Sequence, residues 1–198
     1  MKRLLWYVKG TLHYGLLFTT SFFIRIITYF DVDWARCPGT RRSISGYSIY
    51  LGNNLVSWSA KKQPTISHSS CEFEYHALTS TVPEVFWLDH LLRDLHIHST
   101  DWPLFLYDNK SAIFLSYHLV FHKHSKHINL DYHFFHELVV TGCIRIQHVP
   151  FTLQVVNVYT KSVSRPLFTF FRSKLRMCSN SMLSLGGVAD SPESPFDS

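Results

Sequence analysis

An α/β fold with a mixed, five-stranded sheet flanked by helices is predicted by two observations on the sequence. The first is a succession of three strand-like segments joined by short turns, which is typical of an antiparallel meander. These segments are 22–31, 43–51 and 55–58. The second is a switch to a helical period, followed by short apolar segments that alternate with helical ones. Such an order predicts a sheet whose first three strands are antiparallel.

The two ends of the chain differ from its middle. Segment 2–9 (KRLLWYVK) has the pattern of a helix end that stops at Gly10. No capping residue precedes it, so we expect residues 1–12 to be the end of a longer helix and 13–176 to form the domain. Residues 177–198 are rich in Ser, Gly and Pro, which predicts a disordered tail.

The longest strand-like segment ends in two acids. FFIRIITYF is followed by Asp31 and, two residues later, Asp33. Carboxylates are rarely buried unless they are paired or bind a metal. Asp31 is therefore a candidate metal ligand or acid/base group. The alternative is that both acids simply begin a loop.

A long helix is predicted next, and it carries an acid on its apolar face. Its apolar positions recur every three or four residues. They are Leu78, Val82, Val85, Leu88, Leu92 and Leu95. Glu74 lies four residues before the first of them and falls on the same stripe. Glu74 is a candidate ligand, or alternatively a helix-start carboxylate favoured by the macrodipole. Pro83 is expected to kink this helix.

The remaining chain repeats the pattern of a strand that ends in an acid. Strand 104–107 (LFLY) ends at Asp108, and a short helix follows. A helix over 130–140, a last strand over 144–148 and a final helix over 167–176 complete the fold.

The charge balance favours a polyanionic partner. The formal net charge is +5, and residues 177–198 hold three of the 14 acids and none of the 19 bases, so the rest carries +8. A basic body of this kind favours nucleic acid over a membrane surface. No targeting signal is found, and the longest apolar region is shorter than the ~20 residues that span a bilayer.

Cysteine and histidine usage gives no strong metal signal. The four cysteines form no Cys-x-x-Cys pair, so we expect free thiols in a reducing, intracellular compartment, cytoplasmic or nuclear. Six histidines lie within 118–136, where a zinc cluster is one interpretation. The favoured one is a solvated basic loop, because Lys123 and Lys126 lie among them.

Three acids on separate elements can converge on one point. Asp31 and Asp108 lie at the ends of two predicted strands, and Glu74 lies in the first turn of the long helix. Hydrolysis of a phosphodiester uses two divalent ions held by such a cluster. Mg²⁺ prefers carboxylate oxygens and keeps several of its waters. The sequence thus predicts a Mg²⁺ site, with Mn²⁺ as a substitute.

Longer stretches resemble a known family. They are LWYVKGTLHYGLLF (5–18), DVDWARCPGTRRSISGYSIYLG (31–52), VSWSAKKQPTISHSSCEFEYHAL (56–78), LYDNKSAI (106–113), KHINLDYHFFHELV (126–139) and HVPFTLQVVNVYTKS (148–162). Together they resemble the ribonuclease H domain at the C-terminal end of a copia-type retrotransposon polyprotein. The resemblance implies an RNase H-like fold and makes residues 1–12 the end of a connector helix from a truncated reverse transcriptase.

The resemblance also implies roles for particular residues. Asp31, Glu74 and Asp108 match the metal-binding acids, and His148 matches a loop histidine that helps proton transfer or product release. Asn157 stands where the family has a fourth acid. The charge of the body, and not the resemblance, selects the basic residues expected to contact nucleic acid, which are Lys61, Lys62, Lys110, Lys123 and Lys126.

The implied function is metal-dependent hydrolysis of the RNA strand of RNA–DNA hybrids. Its partners would be the hybrid and the reverse transcriptase part of the parent polyprotein. An amide at position 157 offers no negative charge, so weakened metal binding is expected. The alternative is a degenerate, inactive remnant that still binds nucleic acid. An integrase is a weaker rival, because its helical Glu would come last among the acids.

Overall fold

The computed structural model describes residues 2–20, 23–33, 42–62, 70–99, 101–117 and 126–179. Thirteen helices and strands, together with a short 3₁₀ turn at Phe151–Leu153, occupy these residues. The helices are α1 (Lys2–Thr11), α2 (Ser70–Asp94), α3 (Lys110–Tyr117), α4 (Lys126–Val140), α5 (Asn157–Thr160) and α6 (Arg165–Lys174). The strands are β1 (Tyr14–Leu16), β2 (Ile26–Asp33), β3 (Ile44–Leu51), β4 (Asn54–Lys62), β5 (Leu104–Tyr107), β6 (Arg145–His148) and β7 (Met177–Ser179).

The central sheet has five strands in the order β4-β3-β2-β5-β6. Strand β3 pairs antiparallel with both β2 and β4. Strand β5 pairs parallel with both β2 and β6. The predicted mixed sheet with three antiparallel strands first is confirmed.

Strand β2 lies at the centre of this sheet and is buried on both faces along its first six residues. Its side chains alternate between two cores. Ile26 and Phe30 pack in the core beneath α2 and α4. Ile27 and Tyr29 pack in the core beneath α5 and α6. Asp31 continues the second series, so its carboxylate lies on the side of α5.

The first acid pair lies inside a strand. The sequence predicted a strand over 22–31 with Asp31 at its end, but β2 runs from Ile26 to Asp33. Asp31 pairs in register with Gly46 of β3. The interpretation of Asp31 and Asp33 as the start of a loop was therefore wrong, because antiparallel pairing with β3 continues through both residues.

Helix α2 contains the predicted apolar stripe and includes Pro83 within its length. Leu78, Val82, Val85 and Leu92 are all buried. Leu95 departs from the prediction, since the helix ends at Asp94 and the Leu95 side chain is 60% exposed. No helix in the part of the chain that the structure describes is long and apolar enough to cross a membrane.

A second sheet has two strands and joins the beginning of the domain to its end. Strand β7 pairs antiparallel with β1, with Gly15 opposite Cys178. The predicted tail over 177–198 was wrong for its first three residues, because backbone hydrogen bonds to β1 order them. Helix α1 precedes this sheet and has no buried residue.

Candidate active site

Three carboxylates from three separate elements line one pocket. Asp31 comes from β2, Glu74 from α2, and Asp108 from the residue that follows β5. The pocket is also lined by Val32, Tyr107, Asn109, Lys110, His148 and Lys161. The structure therefore brings together the three acids that the sequence singled out.

Asp31 is buried, and hydrogen bonds to both of its oxygens compensate for its negative charge. Its residue is 2% exposed, which would be costly for an isolated carboxylate. The Thr160 hydroxyl donates a short hydrogen bond to Oδ2. The Lys161 ammonium donates to Oδ1 at 2.9 Å. Both carboxylate oxygens are thus held by consecutive residues at the end of α5.

Glu74 and Asp108 lie in a part of the pocket where positive groups of the protein balance less of the negative charge. Burial raises the pKa of the Glu74 carboxyl, and the charges of Asp108 and Asp31 raise it further. Burial also raises the pKa of Asp108, and the neighbouring Asp31 adds to this effect. Lys161 opposes the rise at Asp108, since its Nζ lies 3.9 Å from Oδ2. Negative charge is crowded here, as in sites that hold divalent cations.

Asn109 connects the acids to the fold. Its Oδ1 accepts hydrogen bonds from the backbone N–H groups of Ser111 and Ala112, which caps the start of α3. This leaves Nδ2 free to donate to Glu74 Oε1 at 2.8 Å. The buried Tyr107 hydroxyl forms a further hydrogen bond to Glu74. The Asn109 side chain therefore both caps α3 and positions the Glu74 carboxylate.

Of the histidine and lysine residues that the sequence analysis proposed for the site, some line the acidic pocket and others do not. His148 ends β6 and lines the pocket together with the exposed Lys110. Lys61 and Lys62 are exposed at the end of β4 and do not line this pocket.

Two further basic candidates and part of the histidine segment cannot be placed in the same way. Lys123 lies outside the described residues, and so does the beginning of the 118–136 histidine segment. Lys126 begins α4 and its side chain is not described.

Asn157, which stands where the resemblance implies a fourth acid, is not among the residues that line this pocket. It begins α5, is fully buried, and donates from Nδ2 to the carbonyl of Phe151 at 2.9 Å. Among the described residues its Oδ1 has no hydrogen-bond partner. The end of the same short helix brings Thr160 and Lys161 to Asp31.

Four residues of the site were missed by the sequence analysis. Thr160 and Lys161 contact Asp31, and both belong to the family-like stretch 148–162. Gln154 in the same stretch is fully buried and donates to the Phe30 carbonyl at 3.0 Å and to the Leu106 carbonyl at 3.4 Å. It therefore joins β2 and β5 just before the points where they deliver their acids.

The fourth missed residue, Gly46, allows α5 to approach the sheet. A Cβ added at Gly46 would lie 3.0 Å from Val156 Cγ1 and 3.3 Å from Thr160 Cγ2. Real Cβ contacts are rarely so short. Asp31 lies opposite Gly46 in the β2–β3 pair. The absence of a side chain at Gly46 leaves room for Thr160 to reach Asp31.

The donor set suits a hard cation but is not a closed cage. Within the described residues, no three His, Cys, Asp or Glu side chains are arranged to hold one metal ion together. Mg²⁺ does not require such a cage, since it keeps waters and binds one or two carboxylates plus substrate phosphates. Three acids on one open pocket therefore fit an Mg²⁺ site that substrate completes.

Comparison with known proteins identifies relatives of the chain. No protein-family model matches it. The retrovirus-related Pol polyprotein from transposon RE1 of Arabidopsis thaliana is 38% identical over 175 residues, covering 88% of this chain and 12% of the polyprotein. The corresponding polyprotein from transposon TNT 1-94 of Nicotiana tabacum is 31% identical over 180 residues, covering 91% of this chain and 13% of the polyprotein. The chain thus spans only a small part of these curated relatives.

Solved structures show the fold. The N-terminal RNase H domain of rv2228c from Mycobacterium tuberculosis has a TM-score of 0.50 at 11% identity, covering 76% of this chain and 97% of that one. The compost-derived LC11-RNase H1 has a TM-score of 0.51 at 14% identity, covering 69% and 95%. The resemblance found in the sequence is confirmed: the chain is a homologue of a segment of the retrovirus-related Pol polyproteins of copia-type transposons, and it has the RNase H-like fold.

Proposed function

We propose that this domain hydrolyses the RNA strand of RNA–DNA hybrids with the help of divalent cations. The observation that carries the proposal is the convergence of Asp31, Glu74 and Asp108 on one pocket. Mg²⁺ would be held by these three acids, with Mn²⁺ as a substitute. When bound, such ions activate the attacking water and stabilise the leaving oxygen.

The electrostatics of the pocket support cation binding. The pKa values of Glu74 and Asp108 are raised by burial and by neighbouring negative charge. A divalent cation would relieve this repulsion and favour the ionised carboxylates. Because Mg²⁺ binding would be completed by substrate phosphates, the open shape of the pocket is consistent with a nucleic acid substrate.

The other residues of the pocket have roles that follow from their position. His148 lines the pocket and can contact the scissile region or its leaving group. Lys110 can contact a phosphate. Position 157 adds no charge to the site, so only three acids are available for two cations, and we expect weak occupancy at ordinary Mg²⁺ concentrations.

The wider partner set follows from the relatives. Those relatives are retrovirus-related Pol polyproteins, of which this chain spans 12% to 13%. We propose that the domain works next to the reverse transcriptase part of such a polyprotein. The net positive charge of the chain supports binding to a polyanion.

Cleavage of a labelled hybrid tests the proposal. The chain is incubated with a hybrid carrying a label on the RNA strand, across a titration of MgCl₂ or MnCl₂. We expect RNA fragments that depend on the metal and that Asp31→Asn abolishes. A folded protein that gives no fragments at any metal concentration contradicts the proposal.

Salt dependence tests the binding part separately. Each phosphate contact should add about 0.9 to the slope of log affinity against log salt concentration. We expect a steep decrease of hybrid affinity with salt, and a smaller slope when the exposed Lys61 and Lys62 are both changed to Ser. A flat titration removes nucleic acid as a partner.

A second candidate function is nucleic acid binding without catalysis. It is favoured by the ion pair between Lys161 and Asp31, which places a positive charge of the protein on a carboxylate that is 2% exposed. Salt-dependent hybrid binding without cleavage, even at high Mn²⁺ concentration, would support this candidate over the enzyme.

A further inference from the structure

Lys161 places an ammonium group between two acids of the candidate active site. It follows α5 directly, and its Nζ lies 2.9 Å from Asp31 Oδ1 and 3.9 Å from Asp108 Oδ2. The other oxygen of Asp31 accepts the hydrogen bond of Thr160. Both oxygens of Asp31 are therefore engaged by the protein itself.

We propose that Lys161 is a positioning residue that holds Asp31 and Asp108 together in the metal-free site and leaves Asp31 when a divalent cation binds. The inference rests on the proposed function, because it concerns the same site. Metal binding would then be an exchange of one cation for another, and the apparent metal affinity would be lower than the three carboxylates alone could give.

Charge and geometry require this exchange. An ammonium group in hydrogen-bond contact with Oδ1 repels a second cation bound to the same carboxylate, and the repulsion is strong where solvent is largely excluded. Asp31 is 2% exposed, so water screens the pair poorly. The hydroxyl of Thr160 is neutral and can remain on Oδ2. Lys161 is thus the contact that conflicts with a bound metal ion.

Lys161 also has somewhere to go. Its side chain is 24% exposed, and a lysine stem has several rotatable bonds that let the ammonium move towards solvent. The Nζ already lies 5.2 Å from the centre of the Phe151 ring, and Phe151 is 49% exposed. The ammonium can therefore withdraw along an exposed aromatic surface without being buried elsewhere.

Calorimetric titration with MnCl₂ tests the exchange without any measurement of activity. Lys161→Met keeps most of the apolar stem and removes the charge. Lys110→Met is the matched control, since Lys110 is an exposed lysine that lines the same pocket. We expect Lys161→Met to bind Mn²⁺ about tenfold more tightly than the unaltered chain, equivalent to ~1.4 kcal/mol. Lys110→Met should change the affinity by less than about threefold, because its charge is exposed and screened.

The outcomes separate the inference from the proposed function. If the unaltered chain and Lys161→Met bind Mn²⁺ equally, or the variant binds more weakly, the exchange is wrong while the metal site stands. If neither protein binds Mn²⁺ at millimolar concentration, both the metal site and the exchange are wrong. Asp31→Asn should weaken binding in either background.

A second measurement uses the unaltered chain, because removal of Lys161 leaves a buried carboxylate without its counter-charge. Lysines are acylated with a water-soluble active ester, and the modification of each is followed by mass spectrometry with and without MnCl₂. We expect Mn²⁺ to speed the modification of Lys161 several-fold relative to that of Lys9. Lys9 is the reference because it is exposed on α1 and does not line the pocket. An unchanged ratio under saturating Mn²⁺ overturns the exchange.

Discussion

The two sides of the acidic pocket carry their negative charge in opposite ways. On the β2 side, Asp31 is almost fully buried, yet both oxygens accept hydrogen bonds from Thr160 and Lys161. On the other side, Glu74 and Asp108 are half-buried, and burial together with neighbouring charge raises the pKa of each. The more buried acid is the better compensated one.

This difference shows how one site can be both stable and ready for a cation. The protein neutralises the acid on its central strand, where an uncompensated charge would disrupt the sheet. It leaves the acids on α2 and after β5 with unrelieved repulsion, which a divalent cation would remove. Folding and metal binding therefore depend on different carboxylates, and substitutions on the two sides should have opposite effects on stability.

Lys161→Met should have the largest effect on the stability of the metal-free protein. It removes the charged partner of a buried carboxylate, and breaking such a pair costs about 3–5 kcal/mol. Since the Lys161 side chain is 24% exposed, we expect the free energy of unfolding to fall by about 2–3 kcal/mol. Urea denaturation in EDTA measures it, with Lys110→Met as the exposed control. Equal stability of the two variants would mean that the Asp31 side is not stabilised by its ion pair.

Asn157→Asp should destabilise the protein instead of restoring its site. The side chain is fully buried, and its Nδ2 donates to the Phe151 carbonyl. A carboxylate oxygen in place of that donor meets another oxygen, at a cost of about 1–3 kcal/mol. Asn157→Ala loses the same hydrogen bond without adding charge, so the difference between the variants in urea isolates the charge. If Asn157→Asp is as stable as the natural chain and cleaves hybrids faster, the sequence-based expectation of a fourth acid at 157 is restored.

Gly46→Ala tests whether the close approach of α5 supports the Asp31 side. The added methyl would crowd Val156 and Thr160, and overpacking of this kind costs about 1–3 kcal/mol. We expect a loss in that range by thermal or urea unfolding. Gly15→Ala is the control, because no atom lies within 4 Å of its added Cβ. Similar small effects of both substitutions would show that α5 shifts easily.

Glu74→Gln should stabilise the metal-free protein at neutral pH, the smallest of these effects and opposite in sign to the others. Burial in the folded state raises the pKa of Glu74 above its ordinary value of 4.5, so the native protein binds more protons there than the unfolded chain. The stability that the protonated Glu74 side chain contributes to the folded state is therefore fully present below pH 4.5. It is lost as the pH rises through the raised pKa. Gln removes this loss and keeps an oxygen that can accept from Asn109.

Urea unfolding at several pH values in EDTA checks this sign. The stability gain of Glu74→Gln should be present at pH 7 and vanish near pH 4. Glu84→Gln on the exposed face of the same helix is the matched control for the substitution itself. A loss of stability at pH 7 would place Glu74 among the compensated acids.

The sequence predicted the sheet and the three acids because both depend on patterns local to one element. Asp31 and Asp108 follow apolar strands, and Glu74 falls on a helical stripe, so each could be recognised separately. The ion pair on Asp31 could not be predicted in this way. It joins residues 130 positions apart through α5, a helix of four residues that has no periodic signal.

That Asn157 does not line the pocket could not be predicted for the same reason. The motif placed an acid equivalent there, but one turn of helix decides which of its polar side chains faces the sheet. Gly46 leaves room for α5 next to β3. Gln154, just before α5, donates buried hydrogen bonds to carbonyls of β2 and β5. Neither contact can be inferred from spacing along the chain.

An anomalous diffraction map from a crystal of the protein soaked in MnCl₂ tests the central claim most directly. The claim is that the pocket of Asp31, Glu74 and Asp108 accepts a divalent cation in exchange for the ammonium of Lys161. We predict an anomalous peak among these carboxylates, with the Lys161 side chain withdrawn from Asp31 and the Thr160 hydrogen bond kept. A pocket without a peak at saturating Mn²⁺, or a peak with Lys161 still bound to Asp31, would contradict the account.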